Sequence, residues 1–124
     1  MPQKTILIVE DSPYLAESLF DMFSLKGHKP MIAPTGREAV DLALNFKPDL
    51  ILLDIRLPDI DGYEVFRRIR ADDWGASVKI IVLTASESID VISKNINLPK
   101  DYILFKPDWS VQDLIEKIES HLNS

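Results

Sequence analysis

The sequence predicts an α/β fold: a doubly wound (βα)5 sandwich with helices on both faces of a parallel five-stranded sheet, in one domain over residues 1–124. Three observations carry this expectation. Short apolar runs alternate five times with segments of helical period, the pattern of successive βαβ units. The runs Ile6-Leu7-Ile8-Val9 and Leu50-Ile51-Leu52-Leu53 are apolar at every position, so both faces must be covered, as inside a parallel sheet. Ionisable residues stand where these runs end: Glu10-Asp11 after the first, Asp54 after the third, Lys106 after the last. In open α/β sheets the strand carboxyl ends form the ligand crevice, so these charges are expected to meet there.

In chain order, the strands are predicted at about 5–9, 29–33, 50–54, 79–84 and 102–105. The first helix starts at Ser12 as N-cap with Pro13 at its first position, buries Leu15, Leu19 and Met22 or Phe23, and stops at Gly27. Pro30 removes a ladder donor from the second strand, which places that strand at a sheet edge. Strand order 2-1-3-4-5, the flavodoxin-like arrangement with its switch point between strands one and three, meets that requirement.

Thr35-Gly36-Arg37-Glu38 has capping-box spacing and opens a second helix with Val40, Ala43 and Leu44 inward, ended before Pro48. Asp61-Gly62-Tyr63-Glu64 opens the third in the same way, with Val65 and Ile69 inward and Gly75 beyond its end. The fourth, about 87–96, is weakly patterned, with Ile89, Val91, Ile92 and Ile96 spread over more than one face, so some apolar surface is expected to stay exposed. Ser110 and Asp113 open the fifth, whose Val111, Leu114, Ile115, Ile118 and Leu122 form the clearest amphipathic stripe in the chain.

The 124 residues contain no cysteine, which excludes disulfides and thiolate chemistry and is compatible with a reducing cytoplasm. With 14 basic and 20 acidic residues the formal charge is −6, and no basic run is long enough to neutralise several phosphates, so no direct nucleic-acid contact is expected. The N-terminal apolar run is too short for a signal sequence or a membrane span. A soluble cytoplasmic protein that makes no membrane contact is the expectation.

Adjacent first and third strands would bring Glu10, Asp11 and Asp54 within a few ångströms. Two unit charges about 4 Å apart repel by about 4 kcal/mol at an effective dielectric near 20, so three ionised carboxylates call for a cation or for protonation. A hard divalent ion fits, and magnesium, which takes oxygen ligands and keeps several waters, fits best because the set contains no histidine. Lys106 adds an ammonium at the same rim and Thr84 a hydroxyl at the end of strand four. Metal, ammonium and hydroxyl are what a transferring phosphoryl group needs around its equatorial oxygens, and a carboxylate held among them can be the nucleophile. Glu10-Asp11-Ser12-Pro13 is anionic and carries a proline where a phosphate-cradling loop needs glycines and N–H donors, which counts against a nucleotide or flavin site.

These motifs, Val9-Glu10-Asp11-Ser12, the run from Leu52 through Asp54 and Pro58 to Gly62, Val82-Leu83-Thr84-Ala85 and Phe105-Lys106-Pro107, closely resemble the receiver domain of two-component response regulators, over essentially the whole chain. The resemblance implies that Asp54 accepts a phosphoryl group from a histidine kinase or histidine phosphotransfer protein. It implies Mg2+ held by Asp11, by Asp54, by the main-chain carbonyl of Arg56, and by Glu10 mainly through metal-bound water. Lys106 would pair with the phosphoryl oxygens, and Thr84 would be the switch hydroxyl that moves toward them. The Lys106-Pro107 bond is expected to be cis. Such a protein is no enzyme beyond its own aspartyl phosphorylation and dephosphorylation, and its output passes to a downstream protein through the face of helix four, strand five and helix five.

The chain departs from the family pattern at several points. The switch aromatic of strand five falls on Ile103, with Tyr102 one residue early and on the other face. Pro99-Lys100 replaces a small Gly-Ala step, and Asp108-Trp109 lengthens the loop before the last helix. A receiver-like interaction module that is not phosphorylated is therefore one alternative. A Mg2+-dependent phosphohydrolase is another, although Arg56 stands where such an enzyme needs a second aspartate. Arg56 and Ser86 can overhang an acyl phosphate. Trp74 and Trp109 both read as local packing residues, with Trp109, beside the rim, also an interface candidate. His28 and His121 receive no role, and Arg67, Arg68, Arg70, Glu116 and Lys117 read as solvated faces.

Overall fold

The computed structural model describes residues 3–123. Its strands are β1 (Thr5–Val9), β2 (Lys29–Ala33), β3 (Leu50–Asp54), β4 (Lys79–Thr84) and β5 (Ile103–Phe105). The helices between and after them are α1 (Pro13–Leu25), α2 (Gly36–Phe46), α3 (Gly62–Arg70), α4 (Ile89–Asn95) and α5 (Val111–Leu122). All pairings are parallel and the order is β2-β1-β3-β4-β5, which puts Pro30 on an edge strand as its missing donor requires.

Alternate residues of each strand serve opposite layers. Leu7, Val9, Ile51, Leu53, Ile80 and Val82 pack against α2, α3 and α4 through Ala39, Ala43, Val65, Phe66, Ile69 and Ile92. Ile6, Ile8, Leu50, Leu52, Ile81 and Leu83 pack against α1 and α5 through Leu19, Phe23, Leu114, Ile115, Ile118 and Leu122. Each fully buried aliphatic side chain contributes about 1.5–3 kcal/mol, and this two-sided core carries the cost of charges set at the sheet ends.

Most helix boundaries follow local chemistry. Thr35, Asp61, Ser88 and Ser110 each accept a hydrogen bond from the N–H three residues on. Ser12 holds the N-cap position without a side-chain cap bond; its N–H instead donates to the Glu10 carboxylate at 3.2 Å. The first helix ends in a Schellman pattern, with the N–H of His28 on the Phe23 carbonyl and that of Gly27 on Ser24, and Gly27 at φ 86° supplies the left-handed residue the pattern needs.

The structure corrects several expectations. On α1, Leu19 and Phe23 face inward as expected, but Ala16 is buried where Leu15 is only half-buried; on α2, Ala43 is buried as expected, joined by Ala39, where Val40 and Leu44 are only half-buried. The fourth helix starts only at Ile89, after the Ser88 cap, rather than at about 87, while Val91, 47 % exposed, supplies the exposed apolar surface expected of it. Tyr102 belongs to a 3-10 turn, Lys100–Tyr102, so the last strand begins one residue later. Lys106-Pro107 is trans, since no cis peptide bond occurs among the described residues; Lys106–Asp108 forms one 3-10 turn closed by the Trp109 N–H on the Lys106 carbonyl, and a trans proline suits that turn. Arg70 is not a solvated charge: it stacks on the Phe66 ring and donates to the carbonyls of Gly75 and Val78, both at 2.7 Å.

Candidate functional site

The site is built where β1 and β3 run side by side. Val9 lies opposite Leu53, so Glu10 and Asp11 leave the sheet next to Asp54. Ligand oxygens of Glu10, Asp11 and Asp54 all fall within 4.8 Å of one another, with Glu10 and Asp54 buried and Asp11 exposed. Gly62 sits directly behind Asp54: its N–H donates to the Ile55 carbonyl at 2.8 Å, and a Cβ there would lie 2.6 Å from the Asp54 carbonyl oxygen. The first turn of α3 thus fixes the backbone that carries the central carboxylate.

From the far side of β4, the residue that follows β5 reaches into the cluster. Lys106 Nζ donates to Glu10 Oε1 at 2.7 Å and to Asp54 Oδ2 at 3.1 Å. The Arg56 N–H donates to Asp54 Oδ1 at 3.2 Å. Burial, reinforced by the Asp54 charge, holds the Glu10 carboxyl above its ordinary pKa despite the Lys106 hydrogen bond. Burial opposes the charge on Lys106, but Glu10 and Asp54 outweigh it and raise the pKa of the ammonium.

Three carboxylates against one ammonium leave two negative charges in a space of a few ångströms. That surplus, the all-oxygen donor set and the absence of histidine from it fit a hard divalent cation, for which Glu10, Asp11 and Asp54 could supply ligands.

Of the residues singled out from sequence, Glu10, Asp11, Asp54 and Lys106 come together. Thr84 ends β4 beside them, opposite Phe105, but its hydroxyl is engaged elsewhere: it donates to the Glu87 carbonyl at 2.9 Å and accepts the Glu87 N–H at 3.0 Å. Arg56 and Ser86 are exposed. Ile103 is buried in the layer shared with Val82 and Ile92, while Tyr102 stacks on His121 at 4.1 Å between ring centroids. Two residues of the rim escaped sequence reading, Glu87 and Tyr63, whose hydroxyl donates to the Glu87 carboxylate. Their only sequence signal is the three-residue spacing from Thr84 to Glu87, which suits a hydroxyl-to-backbone turn.

The comparisons with known proteins agree with this geometry. The model of the response regulator receiver domain matches residues 6–119. The chain is 34 % identical over 117 residues to the response regulator MprA of Mycolicibacterium vanbaalenii, covering 94 % of this chain and 49 % of that protein. It is 28 % identical over 122 residues to the sporulation initiation phosphotransferase F of Bacillus subtilis, covering 98 % of this chain and 96 % of that one. The chain thus spans about half the length of the first-matching curated relatives and nearly the full length of another. Among solved structures, the receiver domain of the sensor histidine kinase PA1611 from Pseudomonas aeruginosa, with a magnesium ion coordinated in its active-site cleft, matches with a TM-score of 0.84 and 31 % identity, covering 99 % of this chain and 100 % of that one. No helix among the described residues is long and apolar enough to cross a membrane. By its sequence, its strand order and the carboxylates gathered at its sheet edge, the chain belongs to the receiver domain family of two-component response regulators.

Proposed function

We propose that Asp54 is the phosphoacceptor of a cytoplasmic two-component signalling protein, taking a phosphoryl group from a phosphohistidine on a histidine kinase or histidine phosphotransfer protein. The observation that carries this reading is the convergence of Lys106, Glu10 and Asp54 within hydrogen-bond distance at the carboxyl ends of β1, β3 and β5. An Asp54 oxygen attacks phosphorus as the donor's P–N bond breaks, and the imidazole leaves with the electron pair of that bond. Lys106, already beside Asp54 Oδ2, neutralises charge on the phosphoryl oxygens. Asp11, Asp54 and the Arg56 main-chain carbonyl would hold Mg2+, with Glu10 acting through water; the ion supplies charge neutralisation that brings an anionic donor to an anionic site.

The added group carries about −2 charge, which draws Lys106 and the Thr84 hydroxyl toward it and biases the neighbouring face of α4, β5 and α5. That face holds a groove whose lining includes Leu104, Phe105 and Trp109, and a downstream protein docks there in this reading. The test is incubation with acetyl phosphate and Mg2+ followed by intact-mass measurement. Wild type gains one phosphoryl group and Asp54→Asn gains none; equal gain in both, or none in wild type, overturns the reading.

A further inference from the structure

Thr84 does not wait idly beside Asp54. Its hydroxyl has one proton to donate, and that proton is committed to the Glu87 carbonyl while the oxygen accepts the Glu87 N–H. To donate to a phosphoryl oxygen it must release Glu87, so whatever holds Glu87 opposes that movement.

The Glu87 carboxylate is held by the Tyr63 hydroxyl, projected from the first turn of α3. The Tyr63 ring is half-buried against the layer of α2, α3 and α4. Tyr63 is therefore tied to the entry of α4, since Glu87 immediately precedes its N-cap Ser88. The helix has seven residues and only Ile92 fully inside, far short of what stands by itself, so tertiary ties decide where it sits. The Tyr63–Glu87 pair lines an open cleft with Arg56, Leu57 and Asp61, which leaves the carboxylate room to swing away. Burial and the Glu87 carboxylate keep the Tyr63 hydroxyl protonated, hence a donor. On β5, Ile103 has no polar atom with which to take this role.

Resting on the phosphoacceptor reading, we propose that Tyr63 is a positioning residue: through Glu87 it holds the Thr84 hydroxyl off Asp54 and pins α4, and phosphorylation is answered by opening this latch. The coupling from site to output surface then runs from β4 through the Glu87 loop to α3, in place of an aromatic on β5.

The experiment compares wild type, Tyr63→Phe, Glu87→Ala and Glu87→Gln. Tyr63→Phe keeps the ring and Glu87→Gln keeps an acceptor, so both preserve packing. Without any phosphodonor, amide exchange over residues 88–96 is expected to quicken roughly fivefold or more in Tyr63→Phe and Glu87→Ala, the effect of losing one net hydrogen bond, and to stay near wild type in Glu87→Gln. With acetyl phosphate and Mg2+, the first two variants take up phosphoryl groups several-fold faster. Unchanged exchange in both overturns the latch, and faster exchange with an unchanged uptake rate overturns its tie to Thr84. Because the exchange arm needs no phosphodonor, it still judges the latch if wild-type Asp54 proves unreactive, a result that would count against the phosphoacceptor reading instead.

Discussion

At the amino ends of the strands, Glu119 of α5 accepts a hydrogen bond from His28 Nε2 at 3.1 Å and pairs with Lys26 at 3.1 Å, while His28 Nδ1 accepts the Lys4 N–H at 3.3 Å. Asp49 caps the Thr5 N–H at 2.8 Å on the same edge. At the carboxyl ends, Glu10, Asp11 and Asp54 gather, and the Lys106 ammonium pairs with Glu10 and Asp54. Both edges contain buried ionisable groups with hydrogen-bond partners, but the first sets the Glu119 carboxylate against His28 and Lys26 whereas the second keeps surplus negative charge. A fold gains nothing in stability from the second arrangement. Its surplus charge fits the proposed phosphoacceptor site, which would take a cation there, whereas the first serves to close the structure.

The comparison breaks most sharply under substitution. Glu119→Ala leaves the 2 % exposed His28 side chain without its Nε2 partner, a loss of about 1–3 kcal/mol in chemical denaturation. Asp54→Asn, nearly identical in shape, relieves repulsion within the carboxylate cluster, so in metal-free buffer its unfolding midpoint should equal or exceed that of wild type. If Asp54→Asn cost as much as Glu119→Ala, the two edges would be doing the same structural work.

A cation should distinguish them next. Binding only to the folded chain, Mg2+ at ten times its dissociation constant stabilises by about 1.4 kcal/mol, a rise of a few degrees in thermal midpoint. The rise is expected in wild type and in Glu119→Ala, and largely absent in Asp11→Ala and Asp54→Ala. Equal shifts in all four would place the ion elsewhere.

How much of this was legible beforehand differs between the same two edges. The carboxyl edge could be read because its residues sit at strand ends: all-apolar runs, an edge-forcing Pro30 and the strand order are enough to bring Glu10, Asp11, Asp54 and Lys106 together. The amino edge could not, because periodicity tells which side of an element faces inward but not which residue it meets. Nothing local tells His28 that it will find Glu119, 91 positions on, or His121 that it will face Asp101 and Tyr102. The same blindness hid the Thr84–Glu87–Tyr63 chain, in which a hydroxyl placed correctly at a strand end proves to be bonded away from the cluster. Lys106-Pro107 failed for another reason: a proline only permits the cis bond, and the turn that follows it decides.

The smallest expected effect lies in acid. Burial opposes the charge of Glu119, but His28 and Lys26 outweigh it and hold its carboxyl below the ordinary glutamate value of 4.5. A carboxylate with a lowered folded pKa contributes stability that is fully present above 4.5 and is lost as pH falls through the folded value. Glu119→Gln keeps an acceptor oxygen for only one of the two partners and cannot ionise, so its stability deficit relative to wild type should shrink as pH is lowered from 5 toward 3. The exposed acids Asp59, Glu64, Asp90 and Asp101, also lowered, titrate alike in both proteins and cancel in the difference. Urea denaturation across that range checks it. A deficit that grew on acidification would mean that Glu119 is strained by its surroundings, as Glu10 is, and the contrast between the two edges would lose its basis.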